Sequence, residues 1–258
     1  MDVLFDLDGT LIDPRPGLTG AVSYALKSIG LAAPPDNDLA WMIGPSLRAS
    51  LAILIPRADL RKAALRHYRD HYAAGGMYQA SLYDGVPAAL EALLAAGHRL
   101  FLATSKPRAF AAPILRHFGL ARYFSAVHGS ELDGTREEKE ALIAHLIASE
   151  GVRPAAAVMV GDRAGDVTGA VRNGISALGV CWGYGSAAEL TAAGAAALCR
   201  APAELPGAVA RLQAESQAES QAESQAESQA ESQVESQVES GCTPGGSVAT
   251  ASDGGFPR

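Results

Sequence analysis

Cysteines are few and far apart in this sequence. Cys181, Cys199 and Cys242 are the only three in 258 residues, and no two of them have C-x-x-C spacing. The spacing argues against a zinc cluster or a disulfide framework and is typical of proteins in a reducing compartment.

Long apolar runs are absent as well. No stretch approaches the ~20 consecutive apolar residues that a membrane helix needs. The N-terminus lacks a basic segment followed by an apolar one, because Asp6 and Asp8 interrupt the first apolar run. We therefore expect a cytoplasmic protein with no membrane partner.

The chain also has no excess of basic residues. It carries 21 Lys and Arg against 28 Asp and Glu, and the net charge is −7. The acidic excess comes from residues 213–258, which hold seven glutamates, Asp253 and a single base, so residues 1–212 are neutral. Residues 1–212 have no excess positive charge with which to bind nucleic acid, so we predict no nucleic-acid partner.

Residues 1–212 contain short apolar runs with helical patterns between them. The runs predicted as strands are 2–5, 98–104, 156–162, 176–182 and, more weakly, 195–199; the helices predicted between them are 86–96, 108–118, 137–149 and 165–173. Continuous apolar strands that alternate with helices indicate a parallel sheet covered on both faces. The predicted fold class is α/β, with a three-layer Rossmann-like core formed by 1–13 and 82–212.

One segment, 14–81, breaks this alternation because it shows helical patterns only, at 18–29, 46–54 and 58–74. We predict an all-helical cap inserted after the first strand. A cap at that place would close over the end of the strand and exclude water from it.

The C-terminal part is of low complexity. Residues 213–240 repeat the unit QAES, drifting to QVES, and 241–258 are rich in Gly, Ser and Thr. Because the only apolar residue of the repeat recurs every fourth position, its stripe drifts around a helix and cannot bury much surface. We predict a solvated tail with transient helicity at 213–240 and disorder at 241–258. A helix that docks on a partner is the alternative.

Polar residues gather where the predicted strands end. The first strand runs into DLDGT, with Asp6 and Asp8, and the next ends in ATSKP, with Thr104 and Ser105. A later strand ends at Asp162, and Asp166 follows four residues on. The carboxyl ends of parallel strands meet at one edge of a sheet, where ligands bind in open α/β folds.

A lysine is predicted to reach the same edge. Thr135 and Glu138 have capping-box spacing, which would start a helix and place Lys139 in its first turn, on the side of the apolar residues. Crowded carboxylates call for a cation, and hard oxygen ligands select Mg²⁺. Together Mg²⁺ and Lys139 would neutralise a phosphate dianion. A nearby carboxylate could attack its phosphorus, and a second could protonate the leaving group.

The four motifs DLDGTLID, ATSKP, DGTREEK and VGDRAGD occur in the order found in a known family. The chain resembles the haloacid dehalogenase superfamily, in particular its phosphoglycolate-phosphatase-like branch with a helical cap, over about residues 2–207. The resemblance implies that Asp6 is the nucleophile and Asp8 the general acid and base. It also implies that Thr104 binds the transferring phosphoryl group and that Lys139 balances its charge.

For the metal, the resemblance implies Mg²⁺ held by the Asp6 carboxylate, the main-chain carbonyl of Asp8, and Asp162, with Asp166 assisting directly or through water. Gly9 and Ser105 are the further candidates for binding the phosphate. Arg48, in the cap loop IGPSLRAS, is the candidate for contacting a distal group of the substrate. Lys106 either lines the entrance or is merely exposed.

The sequence thus predicts a Mg²⁺-dependent phosphomonoesterase whose partner is a small-molecule phosphate ester, either phosphoglycolate-like or a nucleoside monophosphate. A phosphosugar mutase of the same fold is the alternative, since it uses the same pair of aspartates. A dehalogenase has no need of Asp8, and a receiver-type signalling domain has no cap. A non-catalytic scaffold acting through the acidic tail belongs to another class. A monomer or homodimer is the default oligomeric state.

Overall fold

The fold is described from a computed structural model that covers residues 1–240; the terminus predicted to be disordered, 241–258, lies outside the described residues. The strands in the described part are β1 (Asp2–Phe5), β2 (Ile12–Asp13), β3 (Ser81–Leu82), β4 (Arg99–Pro107), β5 (Ala126–Ser130), β6 (Ala157–Gly161), β7 (Ser176–Val180) and β8 (Ala197–Cys199). The α-helices there are α1 (Arg15–Ser28), α2 (Leu47–Leu54), α3 (Ala58–Ala73), α4 (Val86–Ala95), α5 (Arg108–His117), α6 (Lys139–Glu150), α7 (Ala164–Arg172), α8 (Ala187–Ala192) and α9 (Leu205–Ser240).

Six of the strands form one parallel sheet in the order β5-β4-β1-β6-β7-β8. The short strand β1 lies inside the sheet, between β4 and β6, and all four of its residues are buried. It is apolar from Val3 to Phe5 without alternation, as expected for a strand covered on both faces. The polar residues at the carboxyl ends of β1, β4 and β6 therefore lie side by side.

Helices cover both faces of the sheet. Val3 and Phe5 of β1 pack into a cluster that includes residues of α4, α5 and the start of α9. Leu4, which points to the other face, packs with residues of α6, α7 and α8. The predicted α/β class with a three-layer parallel core is confirmed.

The segment between β2 and β3 is helical, with α1, α2, α3 and two short 3₁₀ turns. Ser46 is the N-cap of α2, and its hydroxyl oxygen accepts a hydrogen bond from the N–H of Ala49 at 3.2 Å. β2 and β3 pair antiparallel, Ile12 with Leu82 and Asp13 with Ser81, where the chain leaves and re-enters the sheet layer. The predicted cap boundaries, 14 and 81, stay a prediction.

Two expectations about local structure were wrong. β5 had no predicted counterpart, since AVHGS carries few apolar residues. No capping box starts α6 at Thr135: Glu138 is the N-cap, and Arg136 has a positive φ of 60°, which keeps the preceding turn out of the helix. Lys139 is nevertheless in the first turn, as its first residue.

Residues 1–214 form one compact unit, and a second unit begins at Glu215. The QAES repeat, 213–240, is part of α9. Among the described residues, no helix is both long and apolar enough to cross a membrane.

Candidate active site

Three buried carboxylates, those of Asp6, Asp162 and Asp166, converge at the carboxyl ends of β1 and β6. One ligand oxygen from each lies within 4.8 Å of the others. Asp6 follows β1 directly and its N–H donates to Val160 O of β6 at 3.0 Å, which holds the two strand ends together. The sequence predicted this cluster, and the structure places all three residues in it.

Lys139 lies within this carboxylate cluster. Its Nζ is 2.8 Å from Asp6 Oδ1 and 2.7 Å from Asp166 Oδ1, and it donates to the carbonyl of Ala103 at 2.8 Å. Burial alone would lower the pKa of Lys139, but the Asp166 and Asp6 carboxylates outweigh it and hold the pKa above its usual range. Lys139 therefore stays charged.

One lysine does not neutralise three carboxylates. Burial, followed by the neighbouring charges of Asp166 and Asp6, raises the pKa of Asp162 well above its usual range. Burial also raises the pKa of Asp166 to about 6, although Lys139 opposes it. Both shifts are those of carboxylates that need a further positive charge. Because all the donors are carboxylate oxygens, the site fits a hard divalent cation.

The loop after β1 is held against Asp162. Thr10 Oγ1 donates to Asp162 Oδ1 at 3.2 Å, and Gly9 has a φ of +87°. A Cβ added to Gly9 would lie 2.2 Å from Asp162 Oδ2, so only glycine fits there. We expected Gly9 to bind phosphate, but its N–H donates to Ile12 O at 2.8 Å. The role that the structure supports for Gly9 is the close approach to Asp162.

A second loop, which follows β7, also holds Asp162 and was missed in the sequence. The N–H of Tyr184 donates to Asp162 Oδ2 at 2.8 Å, and Trp182 Nε1 donates to Thr10 O at 3.0 Å. A Cβ on Gly183 or Gly185 would come within 2.5 Å of Asp162 atoms. The available signal was that WGYG directly follows a strand beside β6, at the same edge of the sheet.

Tyr184 also contacts the start of the cap. Its hydroxyl donates to Asp13 Oδ1, and Arg15 Nε donates to the same hydroxyl at 3.2 Å. Tyr184 thus joins the carboxylate of Asp162 to the end of β2, where the chain enters the helical segment.

The side chain of Asp8 has different partners from that of Asp6. Asp8 Oδ2 is 2.7 Å from Lys106 Nζ, while Asp8 Oδ1 is buried without a hydrogen-bond partner among the described residues. Burial raises the pKa of Asp8, and Lys106 opposes that shift. The predicted division between the two aspartates thus has a physical basis: Asp6 is in the carboxylate cluster, and Asp8 is not.

One pocket between cap and core contains the remaining candidate residues. Its core side includes Asp6, Asp8, Thr104, Ser105 and Lys106. Its cap side is mainly apolar and aromatic, with Leu18, Met42, Leu47, Leu65, Tyr68 and Tyr72. The pocket therefore brings together both aspartates and the hydroxyl of Thr104, which is buried at the end of the regular part of β4.

Arg48 lines this pocket but is already engaged. Its Nη2 donates to Leu132 O at 2.7 Å, and its Nε lies 3.9 Å from Glu137 Oε2. Arg69 of α3 donates to the same carbonyl at 2.5 Å. Both arginines join the cap to the core segment before α6, which leaves the predicted substrate contact of Arg48 as a prediction.

Comparison with known proteins identifies the family. The family model described as haloacid dehalogenase-like hydrolase matches residues 3–180. The chain belongs to the haloacid dehalogenase-like hydrolases. That range runs from β1 to β7 and includes every candidate site residue.

Several named proteins are similar in sequence to this hydrolase. A 5'-nucleotidase of Pseudomonas aeruginosa is 46% identical over 192 residues, which are 74% of this chain and 87% of that protein. The tyrosine-protein kinase PtkA of Mycobacterium tuberculosis is 41% identical over 186 residues, which are 72% of this chain and 63% of that protein. A plasmid-encoded phosphoglycolate phosphatase of Cupriavidus necator is 37% identical over 211 residues, which are 79% of this chain and 90% of that protein.

Among solved structures, a predicted phosphatase from Clostridium acetobutylicum superposes with a TM-score of 0.78 at 38% identity, covering 81% of this chain and 97% of that chain. The predicted resemblance to haloacid dehalogenase phosphatases is confirmed, and the chain is an enzyme of this phosphatase type acting on a small phosphorylated substrate.

Proposed function

We propose that this hydrolase is a Mg²⁺-dependent phosphomonoesterase that forms a covalent phosphoryl intermediate on Asp6. The observation that carries the proposal is the different surroundings of the two aspartates that line one pocket. Asp6 contacts Lys139 within the carboxylate cluster, whereas Asp8 contacts Lys106, and the other oxygen of Asp8 has no hydrogen-bond partner among the residues that the structure describes. That arrangement suits a nucleophile and a general acid on opposite sides of a phosphorus atom.

The metal would be held by the carboxylates of Asp6, Asp162 and Asp166, with the main-chain carbonyl of Asp8 as the further ligand that the resemblance implies. When bound, Mg²⁺ would withdraw charge from the phosphoryl oxygens and reduce their repulsion of an incoming carboxylate. Mg²⁺, rather than a softer metal, follows from the all-oxygen donor set.

The chain's own residues account for the bond changes. A carboxylate oxygen of Asp6 bonds to phosphorus as the bond from phosphorus to the ester oxygen breaks. The Asp8 carboxyl gives its proton to that departing oxygen. A water then attacks the phosphorus, returns one proton to Asp8 and releases inorganic phosphate from Asp6.

Charge on the transferring group is offset by Lys139, which burial and its ion pairs hold at the site. The Thr104 hydroxyl, buried beside Asp6 and Asp8 in the pocket, is the proposed donor to a phosphoryl oxygen. Together with the N–H of Lys106, which contacts Thr104 Oγ1 at 3.3 Å, it forms a polar floor below the apolar cap side.

The substrate that we propose is a small phosphate ester, either phosphoglycolate-like or a nucleoside monophosphate. The pocket is covered by α3 and the loop before α2, which suits a diffusible metabolite better than a protein surface. Two relatives named for these substrate classes support both choices. Cytoplasmic location and a monomer or homodimer remain predictions from the sequence.

Phosphate release tests the proposal. The purified chain is assayed against phosphoglycolate, nucleoside monophosphates and sugar phosphates, with Mg²⁺ or with EDTA. We expect release that needs Mg²⁺ and is abolished in Asp6→Asn, which keeps the size of the side chain but removes the nucleophile. Turnover in EDTA, or an active Asp6→Asn, would contradict this mechanism. Recovery of an isomerised sugar phosphate would instead identify the mutase.

A further inference from the structure

Lys106 enters the pocket because the end of β4 is irregular. Thr104 pairs with Gly129 of β5, but the next pair joins Pro107 to Ser130, so Ser105 and Lys106 bulge out of the ladder. Bulges beside active sites redirect side chains. Gly129 makes room for this one, since a Cβ there would lie 2.6 Å from Lys106 O.

The ammonium group of Lys106 has two partners, one in the core and one in the cap. Its Nζ lies 2.7 Å from Asp8 Oδ2 and donates to the Tyr72 hydroxyl at 2.6 Å. The side chains of Lys106 and Asp8 are 6% and 9% exposed, so this is a buried, hydrogen-bonded ion pair. Tyr72 belongs to α3 and also presents its ring to Nζ, 4.9 Å from the centroid.

The contact fixes one oxygen of Asp8 and leaves the other free. Asp8 Oδ1 is the buried oxygen without a hydrogen-bond partner among the described residues, and Asp8 lines the pocket. Without Lys106, the carboxyl could turn about its side-chain bonds or be drawn to another donor. A proton donor needs one defined position relative to the departing oxygen, since small displacements are costly to the rate.

The two buried lysines of the site therefore have separate tasks. Lys139 contacts Asp6 and Asp166, and Lys106 contacts Asp8. On the basis of the function proposed above, we propose that Lys106 is a positioning residue that holds Asp8 for proton transfer to the leaving group, and that the Tyr72 hydroxyl of the cap keeps Lys106 in place.

The way the rate depends on the leaving group distinguishes a positioning role of Lys106 from a structural or a substrate-binding role. An alkoxide must be protonated as it departs, whereas nitrophenolate departs as an anion at neutral pH. A misplaced Asp8 should therefore slow the first turnover of an alkyl phosphate and spare that of p-nitrophenyl phosphate. Both first turnovers are measured with Mg²⁺ present, by rapid quench and by the burst of nitrophenolate.

Lys106→Met keeps the length of the side chain and removes its charge. We expect the first turnover of phosphoglycolate or AMP, whichever the native enzyme hydrolyses faster, to fall at least about tenfold with little change in KM. A displaced Asp8 should cost no more than the roughly 10²–10⁴-fold that a full acid–base contribution is worth. The nitrophenolate burst should stay within about threefold, since that step needs no proton. Lys106→Arg should restore part of the loss, and Tyr72→Phe should show the same selectivity with a smaller effect.

Lys62→Met, at an exposed lysine of α3, is the matched control and should leave both rates unchanged. Equal losses with both substrates would show that Lys106 is merely structural, and a rise in KM alone would make it a substrate ligand; either result overturns the inference. Should Lys106→Met fail to fold, Tyr72→Phe carries the same test. Failure of the proposed function looks different, because the native enzyme would then show no Mg²⁺-dependent burst.

Discussion

Gly9 lies directly against Asp162: a Cβ added to Gly9 would be 2.2 Å from Asp162 Oδ2. The two residues come from loops that follow neighbouring strands, β1 and β6. Gly9 also has a φ of +87°, which disfavours any other residue. The loop after β1, which begins at the proposed nucleophile Asp6, thus reaches the carboxylate cluster at a residue that has no side chain.

Gly9→Ala should reduce kcat/KM at least about 100-fold, because the methyl group must displace Asp162 or the backbone beside Asp6, and small displacements at a site are costly. Steady-state phosphatase assays with Mg²⁺ measure this. Gly30→Ala is the matched control, since Gly30 has a φ of +76° but nothing within 4 Å of the added Cβ. It should lose only about 1 kcal/mol of stability and keep its activity. Similar activity in both variants would contradict the steric argument.

Metal removal should make stability depend on pH. The pKa values of Asp162 and Asp166 are raised in the folded, metal-free protein, the latter to about 6. The folded state then binds protons that the unfolded state, with aspartate pKa values of about 4, has released. The contribution of Asp166 is fully present below about pH 4 and is lost as the pH rises through about 6; that of Asp162 has the same sign.

Mg²⁺ should restore the stability that is lost at higher pH, because it takes the place of the protons on Asp162 and Asp166. We expect Mg²⁺ to raise Tm more at about pH 7.5 than at about pH 5, since protons compete for the same carboxylates, and ligand binding to the folded state stabilises it. Calorimetric scans in Mg²⁺ and in EDTA at both pH values measure this. In Asp162→Asn the effect of Mg²⁺ should shrink. An equal shift at both pH values would contradict the proposed site.

Arg48→Gln tests whether Arg48 contacts substrate as well as Leu132 O. If it does, KM for phosphoglycolate, which has a distal carboxylate, should rise about tenfold, or about 1.4 kcal/mol, while KM for p-nitrophenyl phosphate should hardly change. The second substrate serves as the internal control because it lacks a distal anion. Equal losses with the two would show that Arg48 acts only by joining the cap to the core.

Ending the chain after Ala214, where the first compact unit ends, should leave kcat/KM within about threefold. All the residues proposed for binding and chemistry lie at or before Asp166. The full chain and the shortened one are compared under the same assay. A loss of tenfold or more, about 1.4 kcal/mol, would mean that the repeat acts on the enzyme.

Much of the fold could be predicted because its signals are local. The apolar run before Asp6 and the continuous run before Asp162 are typical of buried parallel strands, and both form such strands, β1 and β6. β5 was missed because AVHGS has too few apolar residues to show a pattern; its place depends on pairing with β4. The start of α6 was misplaced because Arg136 adopts a positive φ that the sequence does not reveal.

The sequence by itself determined which residue types reach the edge of the sheet. Strand ends in a parallel sheet share one edge, so the order DLDGT, ATSKP and VGDRAGD was sufficient to bring Asp6, Thr104 and Asp162 together.

Only the tertiary structure decided their partners. Lys106 contacts Asp8 and Tyr72, residues 98 positions and 34 positions away along the chain, because a bulge in β4 directs it under the cap helix α3. Such contacts depend on how the cap packs on the core, and no local pattern encodes that packing.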